Sequence, residues 1–241
     1  MLKSRTPEGP LYRIVRGTKP WEFTDWSKAR TDPSGAHTFG NRFDDPNGEY
    51  RVLYAASQLT SCYVETLARF RPDQALLAEL KAIKGEDDFQ PIGVIPREWF
   101  ESRFIGTADV KGKYAELYTA EWVAHLRPQL QPECVELGLP DFDLSVLMQA
   151  QKRFITQLAS SVVYDLGAFA GIYYVSRYGV NLENWALFEF KADIYPSSKV
   201  RPVSADDPAL QEALDILTLE VPRAMREESA VRRLLKSIFG E

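Results

Sequence analysis

Cysteine and histidine are scarce in this chain of 241 residues: Cys62, Cys134, His37 and His125 are the full complement. Two cysteines without CxxC spacing make no disulfide framework, and with two histidines they argue against a zinc site, so no metal is expected. No apolar run is long enough to cross a bilayer. The opening MLKSRTPEG lacks the apolar stretch that follows the charges of a signal peptide, so a cytoplasmic protein without membrane contact is expected. Positive charge is short too: 29 Lys and Arg stand against 34 Asp and Glu, a net charge of -5 at pH 7. That argues against direct nucleic-acid binding over a broad surface, but leaves room for a small basic pocket around one phosphorylated ligand. The glycine fingerprint GxGxxG is missing, which excludes a hydride-transferring dehydrogenase on the Rossmann fold. Internal repeats and low-complexity linkers are absent as well.

The composition is that of an ordinary globular chain, 45% hydrophobic and 26% charged. Its length suits one large domain or two small ones, with a substantial core. Leu11 to Val15 (LYRIV) reads as a first strand, followed by a loop with a short helix around Trp21 to Lys28. Asp45-Pro46-Asn47-Gly48 is a turn. Arg51 to Ala56 reads as a buried strand, Ser57 as a helix N-cap, and Leu59 to Phe70 as a helix. Further helices are expected at Ala75 to Ile83, Tyr114 to Leu126 and Leu144 to Leu166, the last with Leu147, Phe154, Leu158 and Val162 on one face. Strands are expected at Pro91 to Ile95, Arg103 to Ala108, Ala170 to Val175 and Trp185 to Phe190, the last two as neighbours. Asp207-Pro208 should cap a helix. Val221-Pro222 should start another, with Val231, Leu234, Leu235 and Ile238 on its apolar face. The simplest organisation is a single α+β domain over residues 1–241, with a core of about 11–190 and a C-terminal extension, 191–241, ending in helices.

Several polar residues sit where the local pattern is apolar. Glu65 lies in the helix LTSCYVETLARF, three residues after Cys62, where a carboxylate needs a partner or a function. A salt bridge to Arg69 at i+4, or plain exposure, would be the bland account. Arg13 lies inside LYRIV, where a charge is expensive unless paired; an edge-strand arginine facing water would be the alternative. Tyr54 follows Val52-Leu53 and reads equally as a core aromatic. Arg42 stands near Gly40, and a glycine there lets a ligand approach the backbone. Ser176 ends GIYYVS, where a hydroxyl often caps the next turn. Asp44 and Asp45 lie near Arg42, but their place in a turn explains them better than a second catalytic carboxylate does.

The order of these features resembles the RES domain, a family named for its Arg, Glu and Ser. The matching stretches are Tyr12-Arg13, Gly40-Asn41-Arg42-Phe43, Leu53-Tyr54-Ala55-Ala56-Ser57, Glu65, and Tyr174-Val175-Ser176-Arg177 followed by Ala186-Leu187-Phe188. Asn41 stands where the family usually shows a second glycine. The likeness covers about residues 11–70 and 168–190.

The resemblance implies a mixed sheet like that of ADP-ribosyltransferases, with extra helices in the middle and at the C-terminus. It implies an enzyme acting on NAD as substrate, with no cofactor. Several family members are bacterial toxins that destroy NAD by hydrolysis or phosphorolysis, commonly held in check by an antitoxin with a helix-turn-helix domain. Carried over by position, Arg13, Tyr54, Glu65 and Ser176 form the active site, and Tyr12, Gly40 and Arg42 hold the dinucleotide. ADP-ribose transfer to a macromolecule, or a nucleotide-binding module without turnover, remains open, as does a homo-oligomer. The chemistry fits these residue types. Nicotinamide leaves as a neutral molecule, and one carboxylate facing the oxocarbenium-like ribose lowers the barrier electrostatically. Planar guanidinium groups fork onto pyrophosphate oxygens.

Overall fold

A computed structural model describes residues 1–31, 37–72, 93–148, 153–225 and 227–228. In chain order its strands are β1 (Ser4–Arg5), β2 (Leu11–Arg16), β3 (Arg30–Thr31), β4 (His37–Thr38), β5 (Val52–Ala56), β6 (Arg103–Lys111), β7 (Tyr114–Glu116), β8 (Gly171–Ser176), β9 (Gly179–Phe188) and β10 (Asp193–Pro202). Its α-helices are α1 (Leu59–Leu67), α2 (Arg97–Glu101), α3 (Ala120–Glu136), α4 (Leu144–Met148), α5 (Arg153–Asp165) and α6 (Pro208–Leu217). The main sheet runs β1-β7-β8-β9-β5-β2-β6-β10. It is mixed, because β7 and β8 run parallel while the other neighbours are antiparallel. The fold is therefore α+β.

Alternation in the central strands divides the sheet into two faces. Leu53 and Ala55 of β5, with Trp185 and Leu187 of β9, pack on one side around Leu11, Trp21 and Tyr114. On the other side two separate groups of helices cover the sheet. Helices α3, α4 and α5 bury Trp122, Leu126, Leu147, Ile155, Ala159 and Val163 against Phe43, Ile172 and Phe188. Helices α1, α2 and α6 bury Tyr63, Val64, Leu67, Trp99, Leu210 and Leu217 against Ile14 and Ile105. A groove is left where the two groups part over the middle of the sheet.

The sheet is weakest beneath that groove. β2 is laddered to β6 from Leu11 to Arg16, and β5 to β9 from Val52 to Ala56. β2 and β5 pair only through Tyr12 and Ala56. Beyond that pair the strands part, and a cavity of about 150 Å³ opens between Arg13, Ile14, Tyr54, Ala55 and Ala56.

Packing rather than capping holds α1. Its N-cap is Gln58, without a side-chain cap bond. Ser57, expected as the cap, instead accepts from the Trp185 indole at 2.8 Å. A side-chain cap contributes about 1 kcal/mol, whereas burying each large apolar residue contributes about 1.5–3 kcal/mol, and Cys62, Tyr63, Val64 and Leu67 are all buried. Asp207 does cap α6, accepting from the Ala209 amide at 3.1 Å.

Other expectations shift. Tyr114–Glu116 is a strand held by β8, and the helix begins only at Ala120. It then continues through Pro128 and Pro132, both on its exposed side, where water reaches the carbonyls that the missing N–H groups release. The apolar face of α5 is Ile155, Ala159 and Val163, one residue along from the expected stripe, and Phe154 is exposed. The strand expected from Trp185 already begins at Gly179. Between Trp21 and Lys28 only Trp26–Lys28 is helical, as a 3-10 turn. β10, unforeseen, is a largely exposed edge strand beside β6. Of the strand expected at Pro91 to Ile95, the described part holds only a bridge from Val94 to Glu220, not a strand, whereas the helix expected from Val221-Pro222 is helical at 223–225 and 227–228. The expected helix at Ala75 to Ile83, and the face with Val231, Leu234, Leu235 and Ile238, lie outside the described residues. Among the described residues no helix is long and apolar enough to cross a membrane.

Candidate active site

Glu65 sits where the groove and the gap between β2 and β5 meet. Around it Thr60, Ser61, Cys62, Tyr63, Val64 and Leu67 are buried, yet Glu65 itself is exposed. It has no hydrogen-bond or ion-pair partner among the described residues, and Arg69 does not pair with it. Three adjoining cavities share Glu65 and Thr66 in their walls. One is the small gap between β2 and β5. The second, about 580 Å³, is the groove between α1 and α5, lined by Arg42, Tyr54, Arg69, Arg153, Tyr174 and Arg177. The third, about 780 Å³, runs along β2 past Arg13, Arg16, Arg69 and Arg103.

Arg13 fills the split in the sheet. Burial pushes its guanidinium down to about 10, so it stays charged at neutral pH. It donates to the Pro20 carbonyl. Arg42 donates to the Leu147 carbonyl, and its buried Nε has no partner among the described residues. Its guanidinium lies 5.6 Å from the Tyr174 ring centre and 5.4 Å from that of Phe43. Arg153 donates to the Gly40 carbonyl at 2.8 Å, and Arg177 to the Tyr178 hydroxyl at 2.6 Å. None of these four arginines, nor Arg69, forms a salt bridge among the described residues, although Arg153 lies near enough to Asp44 to act on its carboxyl. A chain of negative net charge thus gathers unpaired cations around one unpaired carboxylate.

Tyr54 and Tyr174 floor the groove. Burial raises both phenols well above their usual 10, so both stay neutral. The Tyr54 hydroxyl donates to Asp44 at 2.8 Å and accepts from the Phe43 amide at 2.9 Å. With its hydroxyl so occupied, Tyr54 offers a ligand its ring. Asp44 also accepts from the amide and the side chain of Asn41, at 2.7 and 2.8 Å. Asn41 thus clamps the loop, while Gly40 beside it takes a φ of 74°. Asp45 is spent on the amides of Asn47 and Glu49 and on the Ser161 hydroxyl, as a turn residue. Among the described residues no group of three or more His, Cys, Asp and Glu is arranged to hold a metal.

The RES domain family model matches residues 10–210. This chain belongs to the RES-domain family. No curated protein matches it. A chain of the crystal structure of the M. tuberculosis MbcT-MbcA toxin-antitoxin complex is similar at 12% identity, with a TM-score of 0.49, over 90% of this chain and 91% of that one.

Within this RES domain, Arg13, Arg42, Tyr54 and Glu65 line the connected cavities. Three other residues singled out in the sequence do not face them. Ser176 is 1% exposed, and its hydroxyl accepts from the Tyr178 amide at 3.2 Å. It shapes the turn that delivers Arg177 and Tyr178 to the groove. Tyr12 packs among the residues around α1, and its carbonyl accepts from the Cys62 thiol at 3.0 Å. Gly40 contributes its backbone. Sequence reasoning missed Thr66, Arg69, Arg153 and Arg177. An arginine on a helix or in a turn is ordinary, and only the approach of α5 and the β8–β9 turn to α1 makes these exceptional.

Proposed function

We propose that this RES domain cleaves the N-glycosidic bond between nicotinamide and ribose in NAD, and that it acts as a cytoplasmic toxin restrained by a helix-turn-helix antitoxin. The unpaired Glu65 carboxylate, set among unpaired arginines at the junction of the cavities, is the observation that carries this reading. As the bond breaks, its electron pair leaves with neutral nicotinamide and positive charge develops on the ribose. Glu65 faces that charge and hydrogen-bonds ribose hydroxyls, which favours the transition state over the bound substrate. Arg13 and Arg42 take the pyrophosphate, the Tyr54 ring excludes water beneath the sugar, and Ser176 and Gly40 act by positioning their turns. Water then adds to the ribose carbon and loses a proton, or phosphate adds through one of its anionic oxygens. The groove and the cavity along β2 each fall in the range of ligand sites, roughly 300–1,000 Å³, and a dinucleotide would reach across both.

The test is product analysis after incubating the purified chain with NAD, with and without phosphate. Release of nicotinamide with ADP-ribose, or with its phosphorylated form when phosphate is present, is the expected result. Intact NAD together with a thermal shift would leave a binding module. Co-expression with the product of the adjacent gene should relieve growth arrest through a complex that covers the groove.

A second test reaches the site from behind the sheet. A Cβ on Gly106 of β6 would lie 2.1 Å from Pro20 Cγ, and the Pro20 carbonyl is what Arg13 holds. Gly106→Ala should move Pro20 off the strand and destabilise the chain by about 1–3 kcal/mol. The Km for NAD should rise about tenfold as Arg13 loses its anchor, a difference of ~1.4 kcal/mol in binding. An unchanged Km with a lowered melting temperature would uncouple Pro20 from the site.

A further inference from the structure

Past Arg13 the cavity along β2 ends in a second group of cations. Arg16 and Arg103 stand directly opposite each other on β2 and β6. Arg69 reaches the same cavity from the turn after α1. Like charges placed directly opposite destabilise a sheet unless something lies between them. No carboxylate pairs with any of the three among the described residues. Arg103 is only 8% exposed; it donates to the Ser102 hydroxyl at 3.0 Å and lies 5.7 Å from the Trp99 ring centre. Its guanidinium is held below the usual arginine value, first by burial and then by Arg16 and Arg69. Trp99 lines the same cavity, is 4% exposed, and its indole N–H has no hydrogen-bond partner among the described residues. A buried donor left unpaired beside three unpaired cations calls for an acceptor.

We infer that Arg16, Arg69, Arg103 and the Trp99 indole form an anion subsite that takes a phosphoryl group. Guanidinium forks match phosphoryl oxygens, and the indole adds a neutral donor. The subsite is distinct from Arg13, because Arg16 lies about 10 Å farther along β2 at ~3.3 Å per residue. It is also a holding position rather than an attacking one. A nucleophile must come within about 3–3.5 Å of the carbon it attacks, whereas Arg69 is a full helical turn beyond Glu65. The phosphoryl group is either free orthophosphate or one carried on a nucleotide.

Thermal melts of the full chain with orthophosphate, with adenosine 5′-monophosphate, and with chloride at matched ionic strength test this without NAD turnover. At about ten times its dissociation constant, a bound probe should raise the melting temperature by roughly 3–6 °C. Arg69→Gln and Arg16→Gln, both at exposed positions, should fold normally and weaken binding about tenfold or more. Without a probe they should melt no lower than the parent, because repulsion is relieved. Arg13→Ala should keep the orthophosphate response. A response to orthophosphate identifies the free anion, and one to the nucleotide alone identifies a carried phosphate; each supports the subsite if the variants lose it. No response to either probe, or a response that survives Arg16→Gln and Arg69→Gln, overturns it. Because the readout is binding, the subsite and NAD cleavage can fail independently.

Discussion

Glu65→Gln is expected to lower NAD turnover by about 10²–10³, comparable to losing one preorganised electrostatic group, with the affinity for NAD held within a few-fold. Glutamine keeps the shape and the hydrogen-bonding capacity but not the charge, so the loss falls on the oxocarbenium-like state. The fold has no use for that charge, since Glu65 is exposed and has no hydrogen-bond or ion-pair partner among the described residues. The variant should therefore melt where the parent does. Single-turnover kinetics beside a thermal melt separate the outcomes. Parental turnover would remove Glu65 from the chemistry, and a collapsed melt would make it a structural residue.

Asp44→Ala should produce the largest loss of stability, about 2–4 kcal/mol, because it strands three donors in a buried setting. Asp44 is 4% exposed and receives the Tyr54 hydroxyl and both donors of Asn41. Turnover should fall as well, since the Tyr54 ring loses its tether beneath the sugar. The pH dependence has a definite sign. Burial raises the Asp44 carboxyl above its ordinary 3.8 despite the hydrogen bonds that oppose it. A raised folded value means that the folded state holds the proton more tightly. The resulting stabilisation is fully present below 3.8 and is lost as pH rises through the folded value. Asp44→Asn should remove that slope while costing less stability than Asp44→Ala. Melting temperatures of the parent and both variants across acidic to neutral pH would show it; identical slopes in parent and Asp44→Asn would exclude Asp44 as the source.

Much of the site was legible because its residues break local patterns. Arg13 interrupts an apolar strand and Glu65 an apolar helix, and their order with Gly40, Arg42 and Tyr54 carried the likeness to the RES family. Ser176 was equally visible, yet it serves the turn behind the groove. A hydroxyl at the end of a strand reads the same whether it faces a ligand or the next amide. The chain expected to be helical from Tyr114 misled because three residues are too few to show a period, and their state is set by β8. The edge strand β10 carries Pro196 and is mostly exposed, so it has no apolar alternation to read.

By itself the sequence determined what depends on neighbouring residues. It placed the alternation of β5 and part of β9, the helix that carries Glu65, the Asp207-Pro208 start of α6, and the turn that occupies Asp45. These follow from local dihedral preferences and the period of apolar residues, which act within a few positions. Only the tertiary structure decided that β2 and β5 touch at one pair and then part, that two groups of helices leave a groove above that split, and that Arg42, Arg69, Arg153 and Arg177 converge on Glu65. The physical reason is that a charge becomes exceptional only when partners are withheld from it. Which partners are withheld depends on contacts between residues more than a hundred positions apart.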